Sequence, residues 1–322
     1  MSQDISRNAN RFIIFTVFFT ARAYYPVLAV LFIDLGLSLD QFVFLNLIWA
    51  ATIFLFEVPS GALADTIGRK RLLVAASVLM TIEMLCLLLA PLNGGSLLFG
   101  LCVINRVCSG LSEACASGAD QALAYDSLPE KNRAHRWDNL LGRAMRWRSI
   151  GFVVSMIVGG LLYDANILNA FLPAALHIAA ETAHRLPVAL VLMQALVCLF
   201  ICLRMVEPGE RHNTASLGDL VKLTLSTAHW VITRRITLVA IVLGVCVDSI
   251  VRNFATIDSS YFRLIALPDW TFGLIGAALG GILWFVPAIA KSLNERFSMY
   301  TNMALIMAGT LAGLLLVAPC WA

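Results

Sequence analysis

Nine apolar runs divide this chain, at 12–33, 41–58, 72–90, 97–124, 142–163, 187–205, 236–257, 271–290 and 299–318. A helix rises 1.5 Å per residue, so about 20 apolar residues cross the ~30 Å hydrocarbon layer of a bilayer. Inside that layer no water is available to backbone N–H and C=O groups, so each run must satisfy them internally as a helix. The runs exclude a soluble fold and predict an all-α polytopic membrane protein. Only 13% of residues are charged, against about 25% in soluble domains. The first run lacks a small-residue cleavage site and reads as a retained helix, not a signal peptide.

The segments between the runs set the organisation. Residues 164–185 are interrupted by Asp, Asn, Pro, His and Glu and read as an external connection with some interfacial helix. After the sixth run, VEPGE stops the span, and Leu217, Leu220, Val221, Leu225, Ala228 and Val231 recur at helical spacing. That pattern predicts an amphipathic helix on the membrane surface. The expected division is a six-helix bundle over 1–205, a linker over 206–235, and three further helices over 236–322. Of the 23 Lys and Arg, 18 fall on one side: near the N-terminus, at 61–71, at 125–148, from Arg204 through the linker, and at 291–296. By the positive-inside rule that side, with the N-terminus, is cytoplasmic. Arg185 and Arg263 fall outside, while Arg22, Arg106 and Arg252 lie within spans. The eight cysteines sit almost entirely in apolar runs, with no CxxC or zinc-type spacing. They read as helix-packing residues, and no metal site is expected.

Between the second and third runs stands GALADTIGRKR, preceded by Glu57-Val58-Pro59. Gly61 and Gly68 suit a sharp turn or a close approach of backbones. Asp65 can hold the cations Arg69, Lys70 and Arg71 or face a helix N-terminus. A positive-inside flank with an incidental acid explains the same composition. The spacing Gly-x-Leu-Ala-Asp-x-x-Gly-Arg-Lys resembles the signature loop of the major facilitator superfamily, with Thr66 departing from the cation usual there. The resemblance implies two six-helix bundles, a central cavity and alternating access. It assigns a cytoplasmic gate to Gly61, Asp65, Gly68, Arg69 and Lys70, with Asp126 as the expected partner at the end of the fourth span.

The fourth run places Arg106, Gly110, Glu113, Ser117 and Asp120 three or four apart, as on one helical face. A buried arginine in hydrocarbon costs at least ~2.5 kcal/mol on insertion scales, so it must face protein or a watery cavity. Arg106-x-x-x-Gly110 resembles the superfamily motif whose arginine is linked to proton coupling. A structural ion pair of Arg106 with Glu83 or Glu113 is the alternative. Glu83, Glu113 and Asp120 are the candidate proton carriers. Gly142, Gly151, Gly159 and Gly160 are spaced as in the family's antiporter motif, although Ser155-Met156 replaces its Gly-Pro. Small residues at that spacing also let helices pack closely with or without antiport. Asp248 and Arg252, four apart in the seventh run, are close enough for an intrahelical pair and are cavity candidates with Arg22. Arg22 equally fits an interfacial anchor. Residues 285–287 and the basic loop after them faintly echo 56–59 and its loop, as in two related bundles.

The expected function is secondary transport of a small organic molecule across a cell inner membrane. It is driven by a proton gradient with no cofactor, with export by antiport ahead of uptake by symport. No nucleic-acid partner is expected, and no enzyme motif such as His-Glu-x-x-His or Gly-x-Ser-x-Gly occurs. A twelve-helix member has about three spans more than these nine. The chain is therefore expected to be a truncated form, to be completed by another chain, or to be a membrane protein that does not transport.

Overall fold

The computed structural model describes residues 7–208, 233–283, 289, 292–293 and 295–317. All regular structure among them is helical. In chain order we label α1 (Asn8–Thr20), a 3-10 turn (Tyr25–Val27), α2 (Leu28–Asp34), α3 (Leu39–Ile67), α4 (Arg69–Leu88) and α5 (Gly95–Ala116). Then come α6 (Ala119–Asp126), α7 (Arg133–Tyr163), α8 (Ala165–Phe171) and α9 (Ala180–Arg204). The last are α10 (Arg235–Leu264), α11 (Asp269–Leu283) and α12 (Met299–Val317). Among the described residues, six segments are long and apolar enough to cross a membrane, from Asn8–Asp34 to Ala180–Arg204. They coincide with the first six apolar runs, and α10, α11 and α12 fall on the remaining three. The expected surface helix at 217–231 and the echo at 285–287 lie outside the described residues.

The chain forms two compact units. One comprises Met1–Leu220 with Ser259–Gly280, the other Val221–Asp258 with Gly281–Ala322. In the first unit, α4 packs against both α5 and α9, α5 also packs on α3, and α1 packs on α7 and α9. Ser38 starts α3 with a reciprocal cap: its Oγ accepts from the Gln41 N–H at 3.2 Å, and its own N–H donates to Gln41 Oε1 at 2.9 Å.

Three stretches depart from the sequence reading. The first span is not one helix. It breaks after Thr20, and residues 21–24 are non-helical. Pro26 is the physical reason, since it has no N–H for the carbonyl four residues back, that of Arg22, and its ring crowds that carbonyl. Other elements satisfy the freed backbone: Ser155 Oγ on α7 donates to the Ala21 carbonyl at 2.8 Å.

Second, the stretch read as a loop at 61–71 is largely helix. α3 runs through Pro59 to Ile67, and α4 begins at Arg69. Gly68 alone makes the junction, at φ 99° and ψ 144°, a conformation that side-chain-bearing residues rarely adopt. Third, the fourth span divides at Ser117 and Gly118 into α5 and α6. Asp120 therefore opens a new helix and does not continue the face of Arg106 and Glu113.

Candidate functional site

The break in the first span turns Arg22 into the bundle. Its side chain is 1% exposed and meets Glu83 of α4, whose side chain is 0% exposed. Arg22 Nη1 donates to Glu83 Oε1 at 2.6 Å and to Oε2 at 2.9 Å. The Tyr24 hydroxyl donates to Glu83 Oε1 at 3.0 Å and accepts from Arg22 Nη1 at 3.1 Å. Two side chains of the break thus converge on one carboxylate of α4. A buried pair of this kind offsets part of its desolvation cost through such hydrogen bonds.

Arg22 Nη2 is the unsatisfied edge. Among the described residues it has no hydrogen-bond partner. The acid it approaches is Glu113 of α5, with Oε1 at 3.9 Å and a side chain 29% exposed. One guanidinium therefore faces two carboxylates of different exposure: Glu83 is sealed, and Glu113 is partly exposed.

Among the described residues Arg106 makes neither of the ion pairs considered for it, with Glu83 or with Glu113; Arg22 takes Glu83. Its Nε donates to Asn105 Oδ1 at 3.0 Å, and its guanidinium lies 4.7 Å from the ring centre of Phe32 on α2. Asn105 in turn donates to the Glu83 backbone carbonyl at 2.8 Å. Arg106 is thus linked to the Arg22–Glu83 pair through one amide, and its Nη2 also lacks a hydrogen-bond partner among the described residues. Asp120 stands apart in the first turn of α6, where it caps the neighbouring Gln121 N–H at 2.7 Å.

At the Gly68 junction, Arg69 pairs with Asp126 at the end of α6. Beside them, Glu207 accepts the Arg69 and Lys70 backbone N–H groups at 3.0 and 2.8 Å, capping the otherwise unsatisfied start of α4. Asn8 of α1 ties in as well: its Nδ2 donates to Ser127 Oγ at 2.9 Å and to the Val206 carbonyl at 2.7 Å. The ends of five spans meet here. The Asp65 side chain lies outside the described residues. Gly61 is exposed, and a Cβ there would meet nothing within 4 Å. Glu207 was legible only as part of a helix stop. The signal available was an acid just after a span, opposite a helix start that favours negative charge. Glu207→Gln is expected to lower stability by about 1 kcal/mol, read as a reduced melting temperature in detergent.

The four glycines of α7 behave differently from one another. A Cβ at Gly159 would fall 1.7 Å from the Ala23 carbonyl oxygen, and one at Gly160 2.8 Å from the Trp270 carbonyl oxygen. At Gly151 a Cβ would meet the Val17 side chain at 2.7 Å, and at Gly142 nothing within 4 Å. Arg252 is an exposed residue of α10. The side chain of Asp248 lies outside the described residues, so the expected pair of the two does as well.

The first unit is thus a multi-span helical bundle with a sealed ion pair at a broken helix. The family model of the Major Facilitator Superfamily matches residues 12–322. The chain belongs to that superfamily. Among solved structures it resembles a bacterial homologue of the human lysosomal transporter Spinster, in an inward-facing, unoccupied conformation. That match has a TM-score of 0.62 at 18% identity, over 91% of this chain and 64% of that one. It also resembles a D-xylose–proton symporter, with a TM-score of 0.56 at 16% identity, over 92% of this chain and 69% of the other. The chain thus spans about two thirds of the length of each. A search of curated proteins found no match.

Proposed function

We propose that this chain is part or all of a proton-coupled secondary transporter of a small organic molecule in a cell inner membrane. The N-terminus and the Gly68 junction face the cytoplasm. The observation that carries the reading is Arg22 held between Glu83 and Glu113. A fully buried ion pair in a membrane-embedded bundle is costly to retain unless it works. Here the cation has a second carboxylate 3.9 Å away that is partly open. Protonating Glu113 removes its pull on Arg22 and commits the guanidinium to Glu83. Deprotonation draws the guanidinium toward the open side. Proton occupancy and the position of the break at residues 21–24 are coupled in this way. Arg106 reaches the Glu83 backbone carbonyl through Asn105 and so helps position the residue that carries the carboxylate.

Export in exchange for protons is the direction we propose, on the glycine spacing of α7. The test is flux in proteoliposomes under an imposed pH gradient. Glu113→Gln is expected to leave the protein folded, since the side chain is partly exposed, and to abolish the dependence of flux on the gradient. Flux that ignores the gradient in the unaltered protein would sink the proposal. Gradient-driven flux that survives in Glu113→Gln would remove Glu113 from the mechanism. Accumulation, where extrusion is expected, would reverse the direction.

A further inference from the structure

Helix α7 has 31 residues, a length of about 46 Å at 1.5 Å per residue, against a hydrocarbon layer of ~30 Å. Counted back from Tyr163, about 20 residues fill that layer, so its boundary falls near Arg143 and the first turns of α7 project beyond it. One face of the helix runs straight through that boundary. Positions 136, 143, 147, 150 and 154 are three, four or seven apart, and Arg146 flanks them. Toward the bilayer centre this face is apolar and open, with Ile150 48% and Val154 52% exposed. Trp147, 54% exposed, stands at the boundary, where an indole can keep its body in lipid and its N–H in water. Beyond it come Arg143, Arg146 and Arg136, all exposed. Arg146 Nε donates to the Gly142 carbonyl at 3.2 Å, which steadies the side chain and leaves its Nη groups outward. Among the described residues, the Arg136 and Arg143 side chains have no hydrogen-bond or ion-pair partner. The nearby acid, Asp138, stands two residues after Arg136 and so points away from this face.

We propose that this face of α7 binds an anionic phospholipid, with the headgroup held by Arg143, Arg146 and Arg136 and the acyl chains lying along Ile150 and Val154. Charge selects the occupant first. Three cations without an acid on their face call for a negative partner, and the planar guanidinium fork bonds two phosphate oxygens at once. A zwitterionic lipid would bring its own cation into the same cluster. Height selects it second, because the arginines stand where the hydrocarbon layer ends and headgroups begin. Continuity selects it third. The cations run directly into open apolar surface, which a soluble anion would leave unused and an acyl chain covers. Anionic lipids of the cytoplasmic leaflet attract basic segments that adjoin spans, and the orientation proposed above puts this face in that leaflet. The site shares no residue with Arg22, Glu83 or Glu113, so it stands apart from the transport reading.

The test is native mass spectrometry of the detergent-purified protein titrated with phosphatidylglycerol or with phosphatidylcholine. The parent is expected to retain phosphatidylglycerol about ten-fold more tightly than phosphatidylcholine. Arg143→Gln and Arg146→Gln should each weaken that retention about five-fold, and the two together by more than about ten-fold. Arg296→Gln makes the same change in net charge at an exposed cation elsewhere in the chain, and should leave retention as it was. The substituted side chains are exposed, so melting temperatures in lipid-free detergent should match the parent and separate loss of the site from loss of the fold. Excess inorganic phosphate should fail to displace the lipid, because it makes no use of Ile150 and Val154. Equal retention of the two lipids by the parent would overturn the proposal. So would a double variant that binds as the parent does, an Arg296→Gln protein weakened as much as Arg143→Gln, or displacement of the lipid by phosphate.

Discussion

Glu83→Gln is expected to be among the most damaging single substitutions in the chain, because it strands a charge. Arg22 Nη1 would keep a neutral carbonyl and the Tyr24 hydroxyl as acceptors. The guanidinium would have no carboxylate within hydrogen-bond distance, since Glu113 stands at 3.9 Å. Removing one partner of a sealed pair costs about 3–5 kcal/mol, a large share of the roughly 5–15 kcal/mol that holds a typical fold. The expected readout is a fall in melting temperature in detergent well beyond that of Glu207→Gln.

The double variant Arg22→Met with Glu83→Leu removes both charges together. It is expected to recover most of the lost stability, because a sealed pair replaced by apolar groups of similar volume is often neutral or better. It should nonetheless have lost proton-coupled flux. A stable double variant with intact coupling would mean that the pair serves packing alone. A Glu83→Gln protein as stable as the parent would mean that Arg22 finds another anion.

How far the site was legible depended on whether its signal was local. The spans were readable because hydrocarbon leaves the backbone only one way to satisfy itself, and the composition of each run records that. Arg69 and Asp126 were readable as neighbours because each ends a span on the same side. The Arg22–Glu83 pair was not readable as a pair, although each residue stood out alone. Partner choice depends on which face of the first span turns inward, and that changes at the break. Pro26 was the available signal for the break, four residues after Arg22. An apolar run read only by length absorbs such a proline without notice. The division of the fourth span had a similar local sign in Gly118, which stands at φ 72°. The cluster in which Arg263 pairs with both Asp34 and Asp269 had no local sign at all. Its members are 229 residues apart in one bond and six in the other, and only tertiary packing joins them.

Gly159→Ala and Gly142→Ala are expected to have opposite signs, although the two glycines belong to one spacing pattern on one helix. At Gly159 the new methyl would fall 1.7 Å from the Ala23 carbonyl oxygen and 2.7 Å from its carbon. Those are backbone atoms, so no side-chain rotation relieves the clash, and α7 must move away from residues 21–24. One turn earlier on α7, Ser155 donates to the Ala21 carbonyl, and the same shift stretches that bond. Overpacking a tight contact costs about 1–3 kcal/mol and at times more, and here the upper end is expected. The displaced stretch also carries Arg22, so coupling should be lost in whatever protein remains folded. At Gly142 a methyl meets nothing within 4 Å. Alanine there gains the ordinary helical preference over glycine, about 0.5–1 kcal/mol. Melting temperatures of the two variants in one detergent decide the matter. If Gly159→Ala matched Gly142→Ala, α7 would not be seated on the broken segment, and the fit between the glycine pattern and the first span would have to be abandoned.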